Sequence, residues 1–165
     1  KCVFRIPHGN DKREEGRLID SQRDSVWQGF YSSGEKWYVE RYDKGTLVAG
    51  TSFDTEGASY EYTVLEESSE FPGGYTSLYQ HVGKELVGRY PKAARKRGVE
   101  GKVFVEFVVN KDGSVSDVKA IKGIGAGCDE VAVAAIQSLP KWKPGRQRGR
   151  PVRQKFVLPL TFKLE

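Results

Sequence analysis

Between Phe156 and Leu164, apolar side chains at Phe156, Leu158, Leu160, Phe162 and Leu164 alternate with Val157, Pro159, Thr161 and Lys163. A period of two is met by an extended strand with one face on a core. Pro159 has no N–H to give to a ladder, which confines it to an edge strand, a strand start or a bulge. The strand is therefore expected to keep one side open, and an open edge is either a hazard or a docking site. Upstream, from Trp142 to Arg153, the chain is basic and punctuated by Gly and Pro. This part reads as a loop feeding the strand.

The rest of the chain divides by charge. Residues 1–70 carry 9 Lys/Arg against 14 Asp/Glu, a net of −5, and residues 71–165 carry 18 against 8, a net of +10. Such a split favours two domains with a boundary near Glu70 over one continuous core. Val64–Glu70, acidic and serine-bearing, reads as the linker, because Phe71-Pro-Gly-Gly breaks any preceding element. The expected organisation is an all-β region over 1–63, a linker over 64–70 and a second domain over 71–165.

In the first region, Phe30-Tyr31-Ser-Ser-Gly34, Arg41-Tyr42-Asp-Lys-Gly45 and Ser52-Phe53-Asp-Thr-Glu-Gly57 repeat one pattern, with Tyr31, Tyr42 and Phe53 each 11 residues apart. An aromatic followed by small or polar residues and Gly reads as a strand running into a tight turn. Successive units stack as a meander of hairpins. Over about residues 15–62 the pattern resembles MORN-like repeats, and the other reading is a generic antiparallel sheet with an aromatic core. Both are β.

In the second region, Leu78, Val82, Leu86 and Val87 with Tyr75 and Tyr79 give a helix over 75–87 with one apolar face. A short basic helix is expected from Pro91 to Gly98. Gly101–Val109 is a strand with Val103, Val105, Phe107 and Val109 on one face, and Asn110-Lys-Asp112-Gly113 turns it into a returning strand, Ser114–Lys122. A helix follows from about Asp129, its expected cap, to Ser138, burying Val131, Ala132, Ala135, Ile136 and Leu139. The fold class is α+β: two helices packed on one face of a three-stranded antiparallel sheet.

Phe71-Pro-Gly-Gly, Tyr90-Pro91-x-x-Ala94-x-x-x-Gly98-x-x-Gly101-x-Val103-x-Val105-x-Phe107, Asp112-Gly113-x-Val115, Trp142-x-Pro144-Gly145 and Gly149-x-Pro151-Val152 follow in order. Together they resemble the C-terminal domain of the TonB family over residues 71–165. The resemblance implies a periplasmic domain of an energy transducer, anchored in the inner membrane of the full-length parent. Its implied partners are inner-membrane motor proteins, reached through an anchor outside this chain, and an outer-membrane TonB-dependent transporter. A short transporter peptide would be gripped by strand addition on the last strand. The residues this points to are Val152, Arg153, Gln154, Lys155, Phe156, Val157 and Leu158, with Arg146, Arg148 and Arg150 adding positive charge that attracts an acidic partner. Arg95 stands where family members carry a Gln that contacts the peptide. The same edge permits a strand-exchanged homodimer, and a non-transducing envelope scaffold is the alternative reading.

Other chemistries find little support. Cys2 and Cys128 lack metal-ligand spacing and read as two separate thiols rather than a disulfide. Gly123-Ile-Gly125-Ala-Gly127 has the wrong spacing for a phosphate cradle. Asp112 and Asp117 lack the remaining ligands of a calcium loop. His8 and His81 have no nearby partner in sequence, and no nucleophile motif is present. The expectation is a protein that is not an enzyme, with no cofactor and no metal. The arginines are not interleaved with aromatics as in a stacking platform, so nucleic acid is not expected as a partner. No run approaches the roughly 18 apolar residues of a membrane span, and the chain begins at Lys1, as a processed or cut-down piece would.

Overall fold

The computed structural model describes residues 3–8 and 12–164. These form two compact units: the chain up to Glu67 together with Arg146–Arg150, and Ser68–Gly145 together with Pro151 onward.

The first unit is a six-stranded antiparallel meander, β1 (Val3–His8), β2 (Lys12–Ile19), β3 (Gln22–Phe30), β4 (Lys36–Asp43), β5 (Thr46–Phe53) and β6 (Ser59–Tyr62), each strand paired with the next. Gly34, Gly45 and Gly57 sit in the β3–β4, β4–β5 and β5–β6 turns with positive φ, as the recurring pattern predicts. One face is sealed by Trp27, Tyr38, Tyr42 and Tyr62, all buried. Three of these rings lie over glycines of a neighbouring strand. A Cβ on Gly16 would run into the Trp27 ring, one on Gly29 into Tyr38 and one on Gly50 into Tyr62. The aromatic core therefore depends on backbone that carries no side chain. Of the aromatics in the 11-residue pattern, Tyr42 is buried, whereas Tyr31 and Phe53 are half-buried. Glu66–Glu67 then form a two-residue strand, β7.

The second unit holds α1 (Gly74–Gly88), α2 (Lys92–Arg97), β8 (Gly101–Val109), β9 (Val115–Lys122) and α3 (Cys128–Gln137). After α3 come a small hairpin, β10 (Gly145–Gln147) and β11 (Arg150–Val152), and the last strand, β12 (Gln154–Phe162). The main sheet has the order β12-β8-β9, all antiparallel. Its inner face brings Val103, Val105, Phe107 and Val109 from β8 and Leu158, Leu160 and Phe162 from β12 into one buried cluster. Leu78, Val82 and Leu86 of α1 and Ala132, Ala135 and Ile136 of α3 complete that cluster. The alternation read from the sequence thus sets the faces of both strands. At roughly 1.5–3 kcal/mol per fully buried aliphatic side chain, it dominates the unit's cohesion.

Several local expectations are corrected. Tyr75, Tyr79 and Val87 are exposed, so the buried stripe of α1 is the narrow series Leu78, Val82, Leu86. Gly127, not Asp129, is the N-cap of α3, and Asp129 Oδ1 instead accepts from the backbone N–H groups of Ile124 (2.9 Å) and Gly125 (3.3 Å). The last strand ends at Phe162, and the Leu164 N–H donates to Glu100 Oε1. Within the stretch read as a linker, Glu66 and Glu67 pair with Gln147 and Arg146 of β10, and Glu70 exchanges backbone hydrogen bonds with Lys143. The basic loop is itself a hairpin. Its two-residue turn has Arg148 at φ 47° and Gly149 at φ 74°, as a type I′ turn requires. Cys2 lies outside the described residues, and Cys128 is a buried free thiol.

Candidate docking edge and the residues around it

The last strand pairs with β8 without a break, from Gln154 opposite Val109 to Phe162 opposite Gly101. Among the described residues no strand pairs with its other long edge. Lys155, Val157 and Thr161 point away from the core and are exposed, and Val157 retains 45% of its surface. Leu158 is buried. Phe156 is half-buried, stacked on Phe107 at 5.6 Å between ring centroids and tilted against Trp142 at 5.3 Å.

The remaining predicted contact residues are spread along this edge and its lead-in. Val152 ends β11. Arg153 sits between the two strands, donating to Asn110 Oδ1 and Asp117 Oδ2, both at 3.0 Å. Arg153 and Asp117 are both exposed, so their ion pair contributes little to stability. Gln154 Oε1 accepts the Ser69 N–H at 2.7 Å, which ties the start of the strand to the segment before α1. Lys155 Nζ lies 3.7 Å from Glu106 Oε1. Arg95, on α2, carries its guanidinium 5.1 Å from the centre of the Tyr90 ring.

The motif residues act mainly as packing. Tyr90 donates its hydroxyl to the Val99 carbonyl at 2.6 Å and meets Phe162 edge-on, so the Tyr-Pro pair sets the entry to α2, where Pro91 is the N-cap. Ala94 is fully buried. Gly101 faces Ile124, 3.0 Å from where a Cβ would stand. Asp112 Oδ1 accepts from the N–H and hydroxyl of Ser114, which holds its carboxyl below the usual range. Gly113 accepts the Trp142 N–H at 2.9 Å and leaves no room for a side chain against the Trp142 carbonyl. Trp142, packed on Phe71, Phe107 and Phe156, thus anchors the Asp-Gly turn to the core. Pro144 is half-buried just before β10, and Gly149 and Pro151 shape the hairpin that follows.

Arg146, Arg148 and Arg150 do not form the surface patch expected of them. They belong to the first unit, where Arg148 Nε donates to Glu40 Oε1 at 2.7 Å and Arg150 donates to the Tyr31 hydroxyl at 3.1 Å. Arg146 reaches back to the Gly149 carbonyl. This exposes a cluster that the sequence reasoning missed. Glu14 and Glu40, both buried, lie on the aromatic face of the sheet and receive the hydroxyls of Tyr38 (2.6 Å, to Glu14) and of Tyr42 and Tyr62 (2.9 and 2.7 Å, to Glu40). Arg23 pairs with Glu14 at 2.7 Å. Burial first, and then the bond to Glu40, pushes the Tyr42 phenol up to about 12, and the same causes raise Tyr62. Burial and the bond to Glu14 raise Tyr38. The signal was present in Tyr38-x-Glu40-x-Tyr42, where a carboxylate occupies a position of the apolar, period-two row.

Among the described residues no group of three or more His, Cys, Asp or Glu is placed to hold a metal ion, and no helix is long and apolar enough to cross a membrane.

Comparison with known proteins bears on the second unit. Residues 88–164 match the family described as Gram-negative bacterial TonB protein C-terminal. Protein TonB of Vibrio cholerae is 33% identical over 86 residues, 51% of this chain and 34% of that protein. Protein TonB of Pseudomonas aeruginosa is 30% identical over 78 residues, 46% of this chain and 22% of that protein. An NMR solution structure of the Helicobacter pylori TonB C-terminal domain is 29% identical, covering 57% of this chain and 87% of that one, with a TM-score of 0.40. The chain spans about a third or less of the length of these curated relatives. On these matches residues 88–164 are similar to the C-terminal domain of TonB proteins.

Proposed function

We propose that this chain is the periplasmic, non-enzymatic binding end of a TonB-type energy transducer, and that it grips an extended peptide of an outer-membrane TonB-dependent transporter on the outer edge of β12. The observation that carries this reading is the unpaired long edge of that strand, in a domain of the TonB C-terminal type. A peptide added there forms a row of backbone hydrogen bonds loaded side by side, which resists a pulling force better than one side-chain contact. Val152–Leu158 supply this edge and its lead-in, Arg153 and Lys155 offer exposed positive charge beside it, and Arg95 contributes from α2. The inner-membrane motor is reached through an anchor outside this chain. Residues 15–62 take the place of a spacer as MORN-like hairpins, a reading supported by the turn glycines Gly34, Gly45 and Gly57.

The test is a titration of the isotope-labelled protein with N-terminal peptides of candidate transporters, observing backbone amides. Shifts confined to 152–158 and their β8 partners are expected, and the proposal fails if these amides stay still with every peptide. The same bare edge favours one second reading, self-association of an envelope scaffold through strand exchange. It predicts concentration-dependent dimerisation without peptide, measurable by sedimentation.

A further inference from the structure

The aromatic face of the first unit holds an arginine that comes from a distant part of the chain. Every part of Arg148 is recognised there. Its N–H donates to the Leu65 carbonyl at 2.7 Å, and its carbonyl accepts the Ser52 hydroxyl at 2.6 Å. Its guanidinium donates to Glu40 at 2.7 Å and lies 4.1 Å from the centre of the Tyr38 ring and 4.8 Å from that of Trp37. Its Nη2 also lies 3.9 Å from Glu14 Oε1. The Tyr62 and Tyr42 hydroxyls donate to the two oxygens of Glu40 and fix that carboxylate in place. The sheet also contains the arrangement a second time: Arg23, from β3 itself, pairs with Glu14 and lies over Trp27 at 4.2 Å and Tyr42 at 5.6 Å. Aromatic faces with an oriented carboxylate select a planar guanidinium over a compact, strongly hydrated ammonium.

We propose that Glu40, Tyr38, Tyr42, Tyr62 and Trp37 form a guanidinium-binding site on the N-terminal sheet, filled in cis by Arg148 at the tip of the β10–β11 hairpin. The ligand class is an arginine presented on a tight turn. In sequence β11 ends at Val152, with Arg153 alone between it and the start of β12. The inference stands independently of peptide docking on that strand.

The test is chemical rescue in the full chain. Arg148→Ala removes the guanidinium and leaves the buried Glu40 carboxylate without its closest cation, only Arg23 remaining at 3.7 Å, and its melting midpoint, followed by near-ultraviolet dichroism of the tryptophans and tyrosines, is expected to fall by about 10 °C or more. Millimolar ethylguanidinium is expected to restore most of that loss, and ethylammonium at the same ionic strength is not. Equal rescue by the two ions, no rescue by either, or no loss in the variant overturns the proposal. Should the variant fail to fold, the wild-type chain decides. The Arg148 side-chain Nε–H resonance must exchange slowly with water and show cross-peaks to the Tyr38 and Trp37 rings, and a rapidly exchanging resonance without those contacts refutes the site.

Discussion

Phe156 shows how a single side chain divides its duties. It lies on the core face of β12, yet it is half-buried, with one side against Phe107 and Trp142. Full burial of a phenylalanine makes truncation to alanine cost about 3–5 kcal/mol. With part of the ring in water the expected cost of Phe156→Ala is about 2–3 kcal/mol, read from urea unfolding, while Leu160→Ala, two repeats of the pleat further on and fully buried, reaches the same range with a smaller side chain. A cost for Phe156→Ala below 1 kcal/mol would mean that the ring does not seal this end of the core. The alternation of Phe156, Leu158, Leu160 and Phe162 was legible from sequence because period-two burial is a local property. The exposure of Tyr75, Tyr79 and Val87 was not, because helix periodicity marks a broad face and only packing partners decide how wide a stripe is covered.

At the scale of elements, the strands, the Asp-Gly turn and the existence of the helices of the second unit were readable for the same local reason, although the cap of α3 fell on Gly127 rather than Asp129. The β10–β11 hairpin was not. Its turn is Arg148-Gly149 rather than Asn-Gly or Asp-Gly, and its partner strand is two exposed glutamates, Glu66 and Glu67, about 80 residues away, which carry no periodicity at all. Long-range pairing of this kind leaves no local mark. For β12 the open edge and its proline lead to a specific expectation. Backbone N–H groups two residues apart in a strand point the same way, so Val157 shares the direction of Pro159, whose missing N–H costs the β8 ladder nothing if it faces outward. Val157→Pro is therefore expected to leave the fold within about 1 kcal/mol of wild type and to abolish peptide binding on the edge. Loss of the β8 amide protections in that variant would show that Val157 faces β8 instead.

For the whole molecule, charge and topology are one problem. Read as halves, the chain is acidic then basic, but the hairpin tip carries Arg146, Arg148 and Arg150 into the acidic unit. That unit then holds 12 Lys/Arg against 13 Asp/Glu, a net of −1, and the other holds 15 against 9, a net of +6. The buried carboxylates of the sheet are thus balanced both locally, Glu14 by Arg23, and from far along the chain, Glu40 by Arg148, 108 positions away. On burial Arg148 would lose its proton more readily, but the hydrogen bond and attraction of Glu40 outweigh this and hold its pKa above the ordinary arginine value, so it stays charged throughout. The tyrosines are what titrate. Tyr38, Tyr42 and Tyr62 all have phenols raised above the ordinary value of about 10, so the folded unit keeps their protons where the unfolded chain gives them up. Their contribution is complete below about pH 10 and is lost as pH rises toward and through about 12, the value for Tyr42, and beyond for the other two. Stability of the first unit should therefore fall with rising pH above about pH 10. Tyr42→Phe removes one of these protons, and the slope of unfolding free energy against pH in that window should become shallower by up to about 1.4 kcal/mol per pH unit. Urea titrations at stepped alkaline pH, followed by tyrosinate absorbance, measure both slopes. Identical slopes in the two proteins would mean that the Tyr42 hydroxyl is ionising with the solvent and that its bond to Glu40 does not hold.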